Sequence, residues 1–246
     1  MRHKMDHREH GEGLALTYPS GATIDWHFHD CDQLAHASSG VMRIETEGSQ
    51  WLVPPGRALW VPGREGHRIV CSGQVEMRTL YFRLRYVRRQ RSFSVVNVSA
   101  LLRELLEELC RPLATRKRNL LVNLVRIEVE DSSSLPLNLP QPRDPRLLAL
   151  CRSLTSGCET EIDQLEAARM LCMSPRSFTR QFIAEVGMSY RAWKLQVRLL
   201  NAIDHFWQGN SLGAAARLAG YASQSAFSAA FKVSFGLRPS ELLCRQ

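Results

Sequence analysis

One pattern occurs twice in the last third of this 246-residue chain, and it restricts the fold more than any other feature. The first copy reads EAARMLCMSPRSFTRQFIAEVG from Glu166, and the second reads AAARLAGYASQSAFSAAFKVSFG from Ala214. Ala167, Ser174, Phe178, Phe182 and Gly187 recur 49 residues later as Ala216, Ser223, Phe227, Phe231 and Gly236. Each copy reads as a short apolar helix, a turn, a Ser N-cap and a second helix closed by Gly. That is the layout of a helix-turn-helix, whose second helix enters the DNA major groove. A single match is common in many proteins, whereas two in register, joined by one helix, point to DNA.

The length allows two domains, each with its own core. Net charge is +8 and is unevenly spread. Residues 1–80 carry 8 Lys/Arg against 10 Asp/Glu, residues 81–126 carry 11 against 3, and residues 143–246 carry 13 against 8. A basic C-terminal part suits a phosphate-binding face, although a solvated basic surface has the same composition. The cysteines at 31, 71, 110, 151, 158, 172 and 244 are odd in number and include no CxxC, which predicts reduced thiols in an intracellular protein. The start MRHKMDHREHGEG lacks the apolar stretch of a signal peptide, and no apolar run is long enough to span a bilayer. A cytoplasmic protein with no membrane partner is expected.

Residues 14–95 read as β structure. Apolar and polar residues alternate in ATIDWHFHD, VMRIETEG and RTLYFRLRYV, with Gly and Pro clustered between the runs. Many short strands of this kind predict a small barrel or sandwich. The period changes at Ser99. Leu101, Leu102, Leu105, Leu106 and Leu109 form a helical stripe that Pro112 ends, and a second helix is expected from Asn119 to Glu130. The segment DSSSLPLNLPQPRDP, with four prolines, predicts an extended linker. Beyond it, helices are expected over Pro145–Leu154, Glu161–Leu171, Ser174 to Gly187, Ser189 to about Trp207, Ser211–Ala219 and Ser223–Phe235. The connecting helix, at 1.5 Å per residue, is roughly 28 Å long, close to the roughly 34 Å between successive major grooves.

At this point MSPRSFTRQFIAEVGMSYRAW and GYASQSAFSAAFKVSFGLRPSE resemble the AraC/XylS family of bacterial transcription regulators. The second motif shows the family's Gly-aromatic, Ser, Phe, Phe-Lys, Gly and Pro at Gly220, Tyr221, Ser223, Phe227, Phe231–Lys232, Gly236 and Pro239. The resemblance covers residues 144–243, and a looser cupin pattern extends it into the β region. It implies an α+β two-domain fold: an N-terminal cupin or jelly-roll-like β-barrel, then linker helices, then an all-α double helix-turn-helix domain. The expected boundaries are 1–96 for the effector domain, 97–143 for a helical dimerisation and linker region, and 144–246 for the DNA-binding domain. The family also implies double-stranded promoter DNA, a small-molecule effector and a homodimer. RNA polymerase becomes a partner if the protein activates.

With Phe178 and Phe182 turned to the core, Arg176, Thr179 and Arg180 face outward, and the family's base-contacting positions match these three. Arg can hold guanine O6 and N7 in bidentate fashion. In the second motif the matching positions are Gln224, Ser225, Ser228 and Ala229. Family members often carry Arg where this chain has Ala229, so the second motif is expected to contact mainly phosphates. Lys232 and Arg238 are phosphate candidates. The caps Ser174 and Ser223, with Ser177, complete the expected DNA-facing set.

A second constellation lies in the β region. In DWHFHDCDQ, residues His27, His29, Cys31 and Gln33 alternate, so one strand would place them on one face. GRALWVPGREGH adds His67. The two segments resemble the cupin motifs, in which two His one residue apart, a carboxylate and a later His hold a divalent metal. His27, His29 and His67 match the His positions, while Gln33 stands where Glu is expected and is a poor ligand. The expected effector pocket is therefore His27, His29, Gln33, His67 and Trp60, with His36 and Trp51 as further candidates. The sequence establishes no cofactor, and a divalent metal on His27, His29 and His67 is the candidate. The plain alternative is a set of imidazoles satisfied by hydrogen bonds inside a barrel. Nothing resembles a nucleophile with its base, so an enzyme is not expected. The alternatives to an effector-controlled regulator are a metal-responsive regulator and a metal-dependent cupin enzyme using His27, His29 and His67. The leucine stripe on 101–109 has two readings, packing on its own barrel or forming a dimer seam. The basic run Arg83–Arg91 is either solvated or a contact to DNA flanks.

Overall fold

The computed structural model describes residues 3–4, 9–87, 92–135, 137–155 and 162–243. It separates into two units, one of residues 1–46, 51–137 and 235–246, the other of residues 47–50 and 138–234. Part of the basic run, residues 88–91, lies outside the described residues, as do Cys158, Glu161 and Cys244.

The first unit is built from β1 (His3–Lys4), β2 (Gly13–Tyr18), β3 (Thr23–Phe28), β4 (Asp32–Thr46), β5 (Ser49–Val53), β6 (Arg57–Val61), β7 (His67–Phe82), β8 (Ser94–Asn97), α1 (Ala100–Leu109), α2 (Thr115–Asp131) and β9 (Ser134–Leu135). The long strands β4 and β7 pair antiparallel along their whole length. Between Ala37 and Val41 their register shifts, and Gly40 adopts φ +70. A β-carbon at Gly40 would collide with the Gln74 carbonyl oxygen, so the bulge needs glycine. The bulge divides the pair. The N-terminal half of β7 takes β3 as its other neighbour, and the C-terminal half takes β2. On the other side of β4, the chain of pairs continues through β6 to β8 and β9.

Alternation then sorts side chains onto two faces. Leu34 lies opposite Leu80 and Trp60, while Gln33 lies opposite Tyr81 and Val61. The Leu34 face carries an apolar core of Ala58, Trp60, Leu80, Phe82, Val96 and Val98, closed by Leu102, Leu105, Leu106 and Leu109 of α1 and Val122, Val125 and Val129 of α2. Ser99 caps α1 by accepting from the Leu102 N–H. The leucine stripe thus packs on its own sheet. Of the stripe, Leu101 alone is left exposed. The helix expected from Asn119 starts a turn earlier, at Thr115. The extended linker contains β9, which pairs with β8, so sheet pairing holds part of it in place.

The second unit holds β10 (Asn138–Pro140), α3 (Pro145–Thr155), α4 (Gln164–Met170), α5 (Pro175–Val186), α6 (Tyr190–Trp207), α7 (Leu212–Leu218) and most of α8 (Gln224–Phe235), while α9 (Pro239–Leu243) is counted with the first. Its core is aromatic. Phe182 lies 5.7 Å from Phe178, 5.3 Å from Tyr190 and 5.9 Å from Trp193 between ring centroids. These separations suit edge-to-face packing, which adds to simple area burial. Trp193 donates from Nε1 to the Pro140 carbonyl at 2.7 Å, and Tyr190 donates its hydroxyl to the Ile162 carbonyl at 3.0 Å. Both buried aromatics therefore have hydrogen-bond partners for their polar ends.

Candidate functional site

Each helix pair in the second unit is set by a Ser or Asp cap. Asp163 caps α4 by accepting from Leu165 and Glu166 N–H, and Ser211 caps α7 by accepting from Ala214 N–H. Ser174 accepts from Ser177 N–H ahead of α5, with Pro175 in the first turn, and Ser223 accepts from Ala226 N–H at 3.2 Å ahead of α8. Gly187 closes α5 at φ 78 and Gly236 follows α8 at φ 72, the left-handed region in which glycine is unstrained.

The copies differ in their turns. In the first, Met173 N–H reaches the Ala168 carbonyl and Cys172 sits at φ 53. In the second, Tyr221 N–H reaches the Ala216 carbonyl and Gly220 sits at φ 81. These equivalences are 48 residues apart, whereas Ser174 and Ser223 are 49 apart. The second turn is one residue longer, and the true partner of Ala216 is Ala168 rather than Ala167. The runs of small residues, both buried as Ala167–Ala168 and Ala215–Ala216, concealed the slip.

On α5, Phe178 and Phe182 are buried, Arg176 and Arg180 are exposed one turn apart, and Ser177 and Thr179 are half-buried. The Thr179 hydroxyl donates to the Pro175 carbonyl at 2.8 Å and accepts from Gln164 Nε2 at 2.9 Å. Its oxygen therefore ties α5 to α4, an assignment that helix phase alone did not reveal. Ser174 donates to the Ser177 hydroxyl at 2.9 Å. On α8, Phe227 and Phe231 are buried, Gln224, Ser225, Ala229 and Lys232 are exposed, and Ser228 is half-buried. Val233, 88% exposed, stands on the same helix. The two exposed faces thus carry two guanidinium groups in one motif and a single ammonium group in the other.

In the first unit, β3 stops at Phe28 and β4 begins at Asp32, so no single strand carries His27, His29, Cys31 and Gln33. The turn is held by Asp32, whose carboxylate accepts from Gly63 N–H at 2.8 Å and Arg85 N–H at 3.0 Å. Burial pushes the Asp32 carboxyl up, against these two donors. The imidazoles nonetheless meet. His27 lies directly opposite His67 across β3 and β7. Ring centroids are 4.2 Å apart for His27–His67, 5.0 Å for His27–His29 and 5.6 Å for His29–His67. Burial pushes His27 down and His67 to about 3, the neighbouring imidazoles adding to the effect on His67. Both rings are held neutral. Tyr81 packs 5.1 Å from the His29 ring, and Gln33 donates to Thr79 Oγ1 at 2.9 Å and to the Tyr81 hydroxyl at 3.3 Å. Gln33 Oε1 is buried without a hydrogen-bond partner among the described residues.

Trp60 does not join this group. It faces α1 and α2 with Leu34, on the other side of the sheet from Gln33. His36, two residues beyond Leu34 and opposite Ala58, falls on that same side; it donates to the Arg57 carbonyl at 2.8 Å. Trp51 stacks 6.1 Å from Phe93. Tyr81 and Thr79 are the neighbours of Gln33 that sequence reading missed, because only strand register reveals them.

These two arrangements define a class: a β-sheet ligand-binding unit combined with a double helix-turn-helix DNA-binding unit. A family model described as AraC-like ligand binding domain matches residues 11–128, and a helix-turn-helix domain model matches residues 167–245. The chain belongs to the AraC family of transcription regulators, with a ligand-binding N-terminal domain and a helix-turn-helix DNA-binding domain. It is 26% identical over 246 residues to the HTH-type transcriptional regulator NimR of Escherichia coli K12, covering 97% of this chain and 90% of NimR. RipA of Corynebacterium glutamicum, also an HTH-type transcriptional regulator, is 30% identical over 102 residues, 42% of this chain and 30% of RipA. Among solved structures, unsaturated fatty acid bound ToxT from Vibrio cholerae aligns over 94% of each chain with 13% identity and a TM-score of 0.38. Among the described residues, no helix is long and apolar enough to cross a membrane.

Proposed function

We propose that this regulator reads an asymmetric DNA site with α5 supplying base contacts and α8 mainly phosphate contacts. The observation that carries this reading is the pair of equally capped helix-turn-helix units whose exposed faces differ, with Arg176 and Arg180 on one and Lys232 on the other. Arg180 and Arg176 read base edges in the major groove. Ser174, Ser177 and Ser223 sit at helix N-termini, where backbone N–H groups favour phosphate. Thr179 positions α5 through its bonds to Gln164 and Pro175 at the edge of the DNA-facing surface. Gln224, Ser225 and Ser228 make adaptable polar contacts, and Lys232 meets a phosphate. The 18-residue α6 is about 27 Å long, a length suited to placing α5 and α8 near successive grooves on one DNA face.

The effector enters the first unit at His27, His29, Gln33 and His67, and its binding shifts the population of DNA-competent chains. Residues 1–96 serve as effector domain, 97–143 as dimerisation region and 144–246 as DNA-binding domain. Leu120, Leu124 and Ile127 of α2, 60%, 42% and 45% exposed at helical spacing, support a dimer seam on that helix. The protein works in the cytoplasm without enzymatic activity, and RNA polymerase is its partner where it activates. The test is a titration of the untagged full chain against DNA from upstream of its own gene and its neighbours, at two salt concentrations. Tight, sequence-selective binding that weakens with salt is expected. Equal affinity for every fragment at both salts would overturn the reading.

A further inference from the structure

We propose that His27, His29 and His67 form a three-imidazole site for a late first-row divalent ion of the zinc, cobalt or nickel class, with a coordination position left open. The site deepens the effector-unit reading and depends on it only for its regulatory consequence.

Four observations converge. One ligand nitrogen from each of the three imidazoles lies within 4.8 Å of the others. A tetrahedral ion with bonds near 2.0–2.1 Å needs separations of about 3.3 Å, so loading would draw the three nitrogens closer together. Second, two of the rings are already oriented. His27 donates from Nδ1 to the Asp25 carbonyl at 2.7 Å, and His67 donates from Nδ1 to the Glu65 carbonyl at 3.0 Å. A carbonyl only accepts, so each Nδ1 carries the proton and each Nε2 keeps its lone pair. This outer bond to a backbone carbonyl is the arrangement that metal-ligating histidines commonly show. Third, His67 is fully buried and its Nε2 has no hydrogen-bond partner among the described residues. A buried acceptor of this kind calls for a partner, which an ion or a buried water supplies and the described protein groups do not.

Fourth, among the described residues no carboxylate belongs to the cluster. The nearby amide, Gln33, spends its N–H groups on Thr79 and Tyr81. All-imidazole donors favour zinc, nickel, copper and cobalt over magnesium, calcium and manganese. Three neutral ligands also leave the +2 charge uncompensated and one position free for water or for an anionic or lone-pair donor on an effector. The buried Gln33 Oε1 is an acceptor available to a donor group on that fourth ligand.

The experiment uses the untagged full chain, stripped with chelator and dialysed against Zn²⁺ or Co²⁺. One ion per chain is expected, unaffected by excess Mg²⁺ or Ca²⁺, with a rise in melting temperature on loading. X-ray absorption on the zinc form should report three imidazole nitrogens and no sulfur. His29→Gln and His27→Gln should each weaken binding at least tenfold while folding by circular dichroism. The X-ray absorption result stands even if those variants fail to fold. Binding of less than half an ion per chain, a sulfur ligand, or unchanged affinity in a folded His29→Gln would each overturn the site. The same preparations are titrated with DNA. Selective DNA binding without metal uptake removes this inference and leaves the regulator reading; metal uptake without DNA binding does the reverse.

Discussion

Arg180→Ala is the perturbation that most directly tests how the regulator reads DNA. Arg180 is exposed on α5, one turn from Arg176 and on the face opposite the buried Phe178 and Phe182. Its removal leaves the aromatic core intact, so stability should move by less than about 0.5 kcal/mol. A bidentate contact to guanine is worth about 1–3 kcal/mol, which corresponds to about 5- to 140-fold in affinity. The assay is a fluorescence-anisotropy titration of wild type and variant against one operator and its single-base variants, at fixed and at varied salt. A base contact predicts weaker binding and relaxed preference at one position, with the salt slope nearly unchanged. A phosphate contact predicts a uniform loss and a slope smaller by about 0.9. Lys232→Ala should show this second pattern. Unchanged operator affinity in a folded Arg180→Ala protein would refute the placement of α5 in the groove.

Further tests concern the scaffold. Phe182→Ala removes a fully buried ring packed on Phe178, Tyr190 and Trp193, and should cost about 3–5 kcal/mol in denaturant unfolding followed by tryptophan fluorescence; a loss under 1 kcal/mol would contradict that core. Ser174→Ala should cost about 0.5–2 kcal/mol through the lost bond to Ser177 N–H, with Ser174→Gly costing less. Leu124→Arg on the exposed face of α2 should convert a dimer to monomers in sedimentation equilibrium, whereas Leu101→Arg should not. His36, buried between sheet and α1, is pushed down to about 4. Because its folded value lies below the unfolded one of about 6.5, its effect on stability is absent above that pH and grows as pH falls, to about 3 kcal/mol near pH 4. His36→Gln should flatten this acid limb, and an identical limb in the variant would show that His36 does not titrate there.

The DNA-binding unit was legible in the chain because its determinants are local. Ser174, Pro175 and Gly187 act within one turn of their own helix, and the spacing of Phe178 and Phe182 reports its buried face. Even there, the extra residue in the second turn has no local signature, since both registers put a small residue in the core, and the backbone bonds from Met173 and Tyr221 separate them. Helix phase likewise puts Thr179 on the outer side of α5, whereas its bond to Gln164 of another helix is a tertiary contact.

The β unit divides differently. Alternation in the sequence identified strands and the three histidines that meet, because strand period and residue type are properties of each segment. Which strands pair, and in which register, depends on contacts distant in the chain and was settled only by the tertiary structure. Register decides that His27 sits opposite His67, that Trp60 turns to α1 while Gln33 turns to Tyr81, and that the leucine stripe of α1 is consumed by its own sheet. A one-residue difference in pairing reverses a side chain's face, so local pattern names the residues and long-range pairing decides what they touch.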